Sequence, residues 1–314
     1  MSTARRIMRW PQRCFFPIFA ALWLLGWILG DAPPPWLWLF FIPAPAVAVI
    51  GLFDVVFRIK RAGRFRAALI VAFTLLALGK TLFVDARWNR PAPVPQDALR
   101  VIHWNVAHTL FGFRPLLQAL AEDEPDLVIL VEARFSADLE SLAQRELGLH
   151  HIFHDQGMAV LSRHPFAPQG TIPLANGRAW WAVVDTPDGP LHVATLDILS
   201  HPLIDRHTPV RTLADWIAAR TNDAPLLLVG DFNTPRDATA LDPLRAHLRH
   251  AYETVGRGWP YTWPLPFPLY AIDHAWASPD LAVHTYTLRS SPLSDHRRQV
   301  LDVSIGKRDT SPPE

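Results

Sequence analysis

"LLLVGDFNTP", residues 226–235, runs four apolar residues straight into a carboxylate and an amide. Leu226 to Val229 read as a strand covered on both faces. Gly230 then frees the backbone, and Asp231 and Asn233 fall where the strand ends. A charge placed there costs several kcal/mol, on the order of the buried-ion penalty, unless a partner is present. The segment is therefore either a capped turn or part of a site.

Working outward, the same pattern recurs. Short apolar runs at 99–106, 126–132, 157–163, 179–186, 191–199, 225–232, 272–278, 281–289 and 299–305 read as strands. Helical patterns occupy 114–123, 136–147, 208–220 and 237–248. Many strands with intermittent helices predict a layered α/β or α+β sandwich. Asn105 ends the first strand and Glu132 the second, Asp273 lies in "AIDHAWAS", and Asp295 and His296 lie in "SPLSDHRR". Asn and Asp leave strands and cap turns routinely. Their recurrence at several strand tips points to a site, because sheet ends converge in space. Hard oxygen ligands suit Mg²⁺ or Mn²⁺. A metal with a histidine is what hydrolysis of a phosphate ester requires.

The chain is 314 residues long with a formal net charge of +1, which hides an asymmetry. Residues 1–84 hold ten Lys/Arg against two acids, and the remainder twenty against twenty-seven, about −7. Segments 14–30, 35–57 and 67–84 are each close to the ~20 residues that cross a bilayer. Trp23, Trp27, Trp36 and Trp38 suit an aromatic belt, and Pro43 and Pro45 are expected to kink the second segment. Four arginines in the leader and five basic residues in 58–66, against none in "DAPPP", place both basic segments in the cytoplasm. The expectation is a multi-pass protein of the inner (cytoplasmic) membrane. It has an anchor at 1–84, a Pro-rich linker at 85–98, an extracytoplasmic domain at 99–305 and a disordered tail at 306–314. The single cysteine, Cys14, leaves the body without a disulfide.

"HWNV", "LVILVEAR", "GMAVLSRHP", "LLLVGDFNTP", "AIDHAWAS" and "SPLSDHRR", in this order, resemble the endonuclease/exonuclease/phosphatase (DNase I-like) superfamily over residues 99–305. The pair of "GDFN" and a distal "SDH" is specific; "WN" or "VE" alone is not. The resemblance implies a four-layer α/β/β/α sandwich, here preceded by three transmembrane helices, with Mg²⁺ or Mn²⁺ at one end of the sheets. Carried over by motif, Glu132 is a direct metal ligand, Asn105 belongs to the metal site and Asp295 completes it. Asp231 orients or deprotonates water, Asn233 holds a phosphate oxygen, and His296, oriented by Asp273, contacts phosphate and moves a proton. Arg134 is either a phosphate contact or a surface arginine. One departure stands out. Where the family carries a phosphate-binding histidine, "ATLDILSHP" places Leu196 and Asp197, and His201 is either its replacement or a loop histidine.

Three functional readings remain at this stage. A membrane-tethered phosphatase or phosphodiesterase acting on a lipid-linked phosphate ester comes first. An exported nuclease comes second, although Lys307 is the only lysine beyond the anchor and polymer binding relies on Lys and Arg. A catalytically silent membrane binding module is third. The aromatic segment 256–270, with Trp259, Tyr261 and Trp263, either meets the headgroup region or packs on the sandwich. Substrate identity and oligomeric state are not legible.

Overall fold

The structure is a computed structural model that describes residues 3–31, 36–90, 93–201, 203–220 and 224–306, without the side chains of 3–14 and 137–138. The Cys14 side chain, most of the 31–35 loop, and Lys307 with the expected tail lie outside the described residues. The chain divides into two compact units, Met1–Arg87 with His201–Leu203, and Trp88–Ser200 with Ile204–Glu314.

The larger unit holds two six-stranded sheets. Its strands are β1 (Leu99–Asn105), β2 (Leu127–Val131), β3 (His151–Asp155), β4 (Met158–Ser162), β5 (Phe166–Thr171), β6 (Gly177–Thr186), β7 (Gly189–Ile198), β8 (Leu226–Asp231), β9 (Arg249–His250), β10 (Asp273–Ala277), β11 (Leu281–Arg289) and β12 (Arg298–Ile305). One sheet runs β11-β12-β1-β2-β4-β3, the other β9-β10-β8-β7-β6-β5. The apolar strands alternate between two cores, as period-two geometry requires. Leu127, Ile129 and Val131 meet Leu227 and Val229 between the sheets. Val128 and Leu130 turn outward onto a helical layer, and Leu226 and Leu228 onto a second one.

The layers beyond the sheets are amphipathic helices. Phe113–Ala121 buries Phe113, Leu116, Leu117 and Leu120, an i, i+3, i+4, i+7 stripe, against the first sheet. Val210, Leu213, Ala214 and Ile217 of His207–Ala218 repeat that spacing against the second. The result is a mixed α/β sandwich of four layers. The helix expected at 237–248 is shorter: a 3₁₀ turn at Thr239–Leu241 leads into Asp242–Arg245, with Pro243 in its first turn. β3, β5 and β9 carried no apolar run to reveal them.

Gly230 needs a different explanation from the one its sequence suggests. It lies inside β8, opposite Leu196 of the parallel β7. A Cβ there would come 2.4 Å from the Leu196 carbonyl oxygen and 2.9 Å from its nitrogen. Space between two backbones, not turn freedom, excludes a side chain. Gly230→Ala is expected to lower unfolding stability by about 3 kcal/mol, the upper end for an overpacked site. The urea midpoint of the full chain in detergent measures this.

In the smaller unit, Thr3–Leu29, Leu37–Phe40, Ala44–Arg58 and Arg64–Gly79 are α-helical. Phe16, Ala20, Trp23, Val47, Ala48 and Ile70 form its core, while Phe53, Phe57, Phe65 and Leu75 face outward. Among the described residues one helix is long and apolar enough to cross a membrane, Arg64–Asp85, with 22 residues and mean hydropathy 2.2; Phe15–Leu29 is a shorter apolar helix. Three continuous spans are thus not supported. The second expected span, 35–57, is interrupted between Phe40 and Ala44. Ile42, which precedes Pro43, is disfavoured in helical geometry, and Pro43 is itself extended (φ −80°, ψ 132°) as the N-cap of the new helix, so the chain restarts rather than kinks.

Candidate active site

Strand register assembles the site. Asp231 pairs with Asp197 of parallel β7 on one side and with Asp273 of antiparallel β10 on the other. Three aspartates therefore form one row across three neighbouring strands. Each continues the parity of inward residues on its strand, such as Leu227 and Val229 before Asp231. Asn105 ends β1 in the facing sheet, and Glu132 follows β2. Glu132 (φ 52°) and Asn233 (φ 47°) both adopt the left-handed region immediately past their strands. That conformation is sparsely populated for side chains of this kind, and such residues cluster at functional sites.

Hydrogen bonds fix the side chains. The Asn105 amide donates to Asp231 Oδ2 at 3.0 Å, and its Oδ1 accepts the Ala107 N–H. The Asn233 N–H donates to Asp231 Oδ1 at 2.9 Å, and its side-chain amide to the Ile198 carbonyl at 2.7 Å. His296 Nδ1 meets Asp273 Oδ2 at 2.9 Å, while Nε2 lies 3.9 Å from Asp231 Oδ2. Ser294 Oγ donates to the Asn105 carbonyl and accepts the His296 N–H, tying the "SDH" segment to β1.

Electrostatics divide these groups. Burial opposes a charge on His296, but the carboxylate of Asp273, which also hydrogen-bonds the ring, and those of Asp231 and Asp295 push it up to about 10. Burial likewise works against charge on Asp273, yet His296 holds its carboxyl below the usual range. Asp231 is raised well above that range by burial and by the charge of Asp273. The outcome is a cationic imidazole between one firmly ionised carboxylate and one with high proton affinity. Beneath them His103 is fully buried, and burial lowers it to about 4.

The same geometry yields a donor set for a metal. Among the described residues, two groups of three offer ligand atoms within 4.8 Å of one another: Glu132, Asp197 and Asp231, and Asp231, Asp273 and His296. Burial and the charge of Glu132 raise the Asp197 carboxyl, and Arg178, 2.9 Å away, offsets them only in part. Three converging carboxylate oxygens whose charges disfavour one another fit a hard divalent cation.

Several expected residues stand elsewhere. Asp295 is exposed and accepts the Trp263 indole N–H at 2.8 Å, outside both groups. The Oδ1 of Asn105 is turned to backbone, so this amide positions Asp231. Arg134 is exposed, with its backbone N–H on Thr109 Oγ1. His201 Nδ1 accepts the Leu203 N–H, and the position of the family's histidine is filled otherwise: Leu196 packs in the outer core and Asp197 faces the site. Counting parity along β7 from Leu191 and Val193 shows this, a signal that a search for histidine passes over. In the aromatic segment Tyr261 is buried, which removes it from any membrane face; Trp263 lies 6.3 Å from the His296 ring, and Trp259 is exposed.

The Endonuclease/Exonuclease/phosphatase family matches residues 102–296. The chain belongs to the endonuclease/exonuclease/phosphatase superfamily. It is a metal-dependent hydrolase of phosphoester bonds. A superfamily structure from Beutenbergia cavernae has TM-score 0.54 and 22% identity, covering 67% of this chain and 72% of that one. A mannosyl-6-phosphatase of Bacteroides thetaiotaomicron has TM-score 0.52 and 16% identity, over 66% of this chain and 100% of the other. D. rerio TDP2 in complex with a single-strand DNA product has TM-score 0.52 and 20% identity, over 67% and 100%. At these identities the superfamily structures share the fold alone. No curated protein sequence matches the chain.

Proposed function

We propose that the protein is a membrane-anchored phosphoesterase using Mg²⁺ or Mn²⁺ to hydrolyse a lipid-linked phosphate ester on the extracytoplasmic side. The observation that carries the chemistry is the Asp273–His296–Asp231 relay beside Glu132 and Asp197. Asp231 orients water and takes its proton. His296, held cationic by Asp273, contacts the phosphate and gives a proton to the leaving oxygen. Asn233 spends one amide N–H on Ile198 and directs the other at a phosphate oxygen. Glu132, Asp197 and Asp231 hold the metal, with Asn105 fixing Asp231. When bound, the divalent ion neutralises charge on the phosphoryl oxygens.

The lipid-linked reading draws on composition. Beyond residue 84 the chain carries twenty Lys/Arg against twenty-seven Asp/Glu, a net acidic balance that does not favour gripping a polyphosphate backbone. Covalent attachment to an apolar head raises the effective concentration of membrane-borne esters at the site. In this reading residues 1–84 form the anchor, 85–98 the linker, 99–305 the enzyme and 306–314 a tail. A crossing by Arg64–Asp85, with the basic 58–66 segment on the cytoplasmic side, delivers the enzyme outside. A secreted-phosphatase reporter fused after Glu314 is expected to be active, and a cytoplasm-only reporter silent; the reverse pattern refutes the orientation.

The substrate reading is tested with purified full-length protein and Mg²⁺ on lipid phosphates, lipid pyrophosphates, phosphodiesters, sugar phosphates and nucleic acids. Preferred turnover of lipid esters supports it. Preferred cleavage of DNA or RNA replaces it with an exported nuclease and leaves the phosphoesterase chemistry intact.

A further inference from the structure

A cavity of about 710 Å³ adjoins the segments that carry Asn105 and His296, within the range of about 300–1,000 Å³ typical of small-ligand sites. One wall is the backbone that carries the site. Ala107 donates its N–H to Asn105, Ser294 bridges Asn105 and His296, and Asp295 adjoins His296. The opposite walls are apolar: Leu110, Phe111, Leu265, Pro266 and Pro292. Leu110 and Phe111 are 68% and 57% exposed, a large apolar surface for one short loop.

That loop is held in an unfavourable conformation. Ala107, His108 and Thr109 are all left-handed, with φ of 44°, 57° and 57°. Such conformations are sparsely populated and persist only where their surroundings hold them. Here His108 Nε2 lies 3.4 Å from Glu132 Oε2, and Thr109 Oγ1 accepts the Arg134 N–H. The constrained turn thus joins the Glu132 segment to the two exposed apolar side chains.

Charge selects the occupant. Among the described residues the only ionisable one lining the cavity is Asp295, an acid. A nucleic acid would bring further phosphates here and find no cation to neutralise them. A neutral aliphatic chain meets apolar walls and loses nothing to Asp295. We propose that this cavity holds the aliphatic chain of a long-chain phosphate ester whose phosphate sits at His296 and the carboxylates. The proposal rests on the lipid-linked reading above and gives it a location in the fold.

The test uses full-length protein in detergent with Mg²⁺ and hydrolysis-resistant alkylphosphonates with butyl, octyl and dodecyl chains, titrated by calorimetry. Each methylene buried contributes up to about fourfold in affinity. The dodecyl-to-butyl affinity ratio in the wild type is therefore expected to exceed 100. Two variants are compared: Leu110→Ser with Phe111→Ser, which removes exposed apolar surface, and Ser290→Trp, which fills the cavity from its exposed rim. In both, the ratio is expected to fall at least tenfold. Ratios unchanged in both variants, or a wild-type ratio near one, overturn the proposal. Turnover of long-chain esters by the wild type with unchanged ratios in the variants refutes the cavity alone. Turnover of nucleic acids or sugar phosphates with no lipid ester hydrolysed refutes the lipid-linked reading itself.

Discussion

Asp231→Asn and His296→Ala are each expected to lower turnover by about 10²- to 10⁴-fold, the contribution of a positioned acid or base. Asp231→Asn keeps the shape of the side chain and one of its two accepted hydrogen bonds, from Asn105 or from Asn233, and removes the charge that polarises water. His296→Ala removes the proton carrier and leaves Asp273 buried without its ring partner. Since both groups serve one step, the double variant should be little worse than the poorer single one. Steady-state kinetics at saturating Mg²⁺, with circular dichroism confirming the fold, measure this. A well-folded, fully active Asp231→Asn protein would reduce "GDFN" to a structural turn and remove the proposed roles.

Metal removal should act on the same step from the other side. Dialysis against EDTA is expected to abolish hydrolysis, and Mg²⁺ or Mn²⁺ to restore it. Glu132→Gln and Asp197→Asn each withdraw one charge from the converging oxygens. Loss of even an outer partner of a metal site costs about 10–100-fold in affinity. Each substitution should therefore raise the Mg²⁺ concentration for half-maximal activity at least tenfold. Asp295→Asn, whose carboxylate is turned to Trp263, should raise it far less. Full activity after exhaustive chelation would contradict the mechanism, and a larger effect at Asp295 than at Asp197 would contradict the ligand assignment.

How much of this was legible depended on how strongly each segment announces its burial. Segments such as 127–131 and 226–229 face two cores and consist of apolar residues throughout, so composition alone exposes them. β3 and β5 lie at sheet edges, the first half-buried and the second largely exposed, and "HIFHD" and "FAPQGT" mix polar residues, proline and glycine. An edge strand has no second neighbour and tolerates such residues, which hides it. Among the site residues, Asp231, Asn233, Asp273, Glu132 and Asn105 stand at strand tips and were readable. Asp197 is not legible as a ligand from the motif, because the resemblance places a histidine at that point. The aspartate proves to be the inward residue once β7 is laid beside β8. The exposure of Asp295 and the burial of Tyr261 depend on how the 256–270 segment folds back, through Leu265 and Trp263 onto Asp295, a long-range contact with no local signature.

The row formed by Asp197, Asp231 and Asp273 also bears on how the chain finds its fold. A slip of one residue along β8 would turn Asp231 toward the outer core, among Leu213, Leu228 and Trp276, and draw Gly230 inward. Burying an unpaired carboxylate there costs several kcal/mol, so each misaligned pairing of these strands carries its own penalty. Only the native alignment brings all three acids to the open end of the sandwich together. The residues that equip the enzyme for hydrolysis therefore also proofread strand pairing, and selection for the reaction and for a single topology falls on the same side chains.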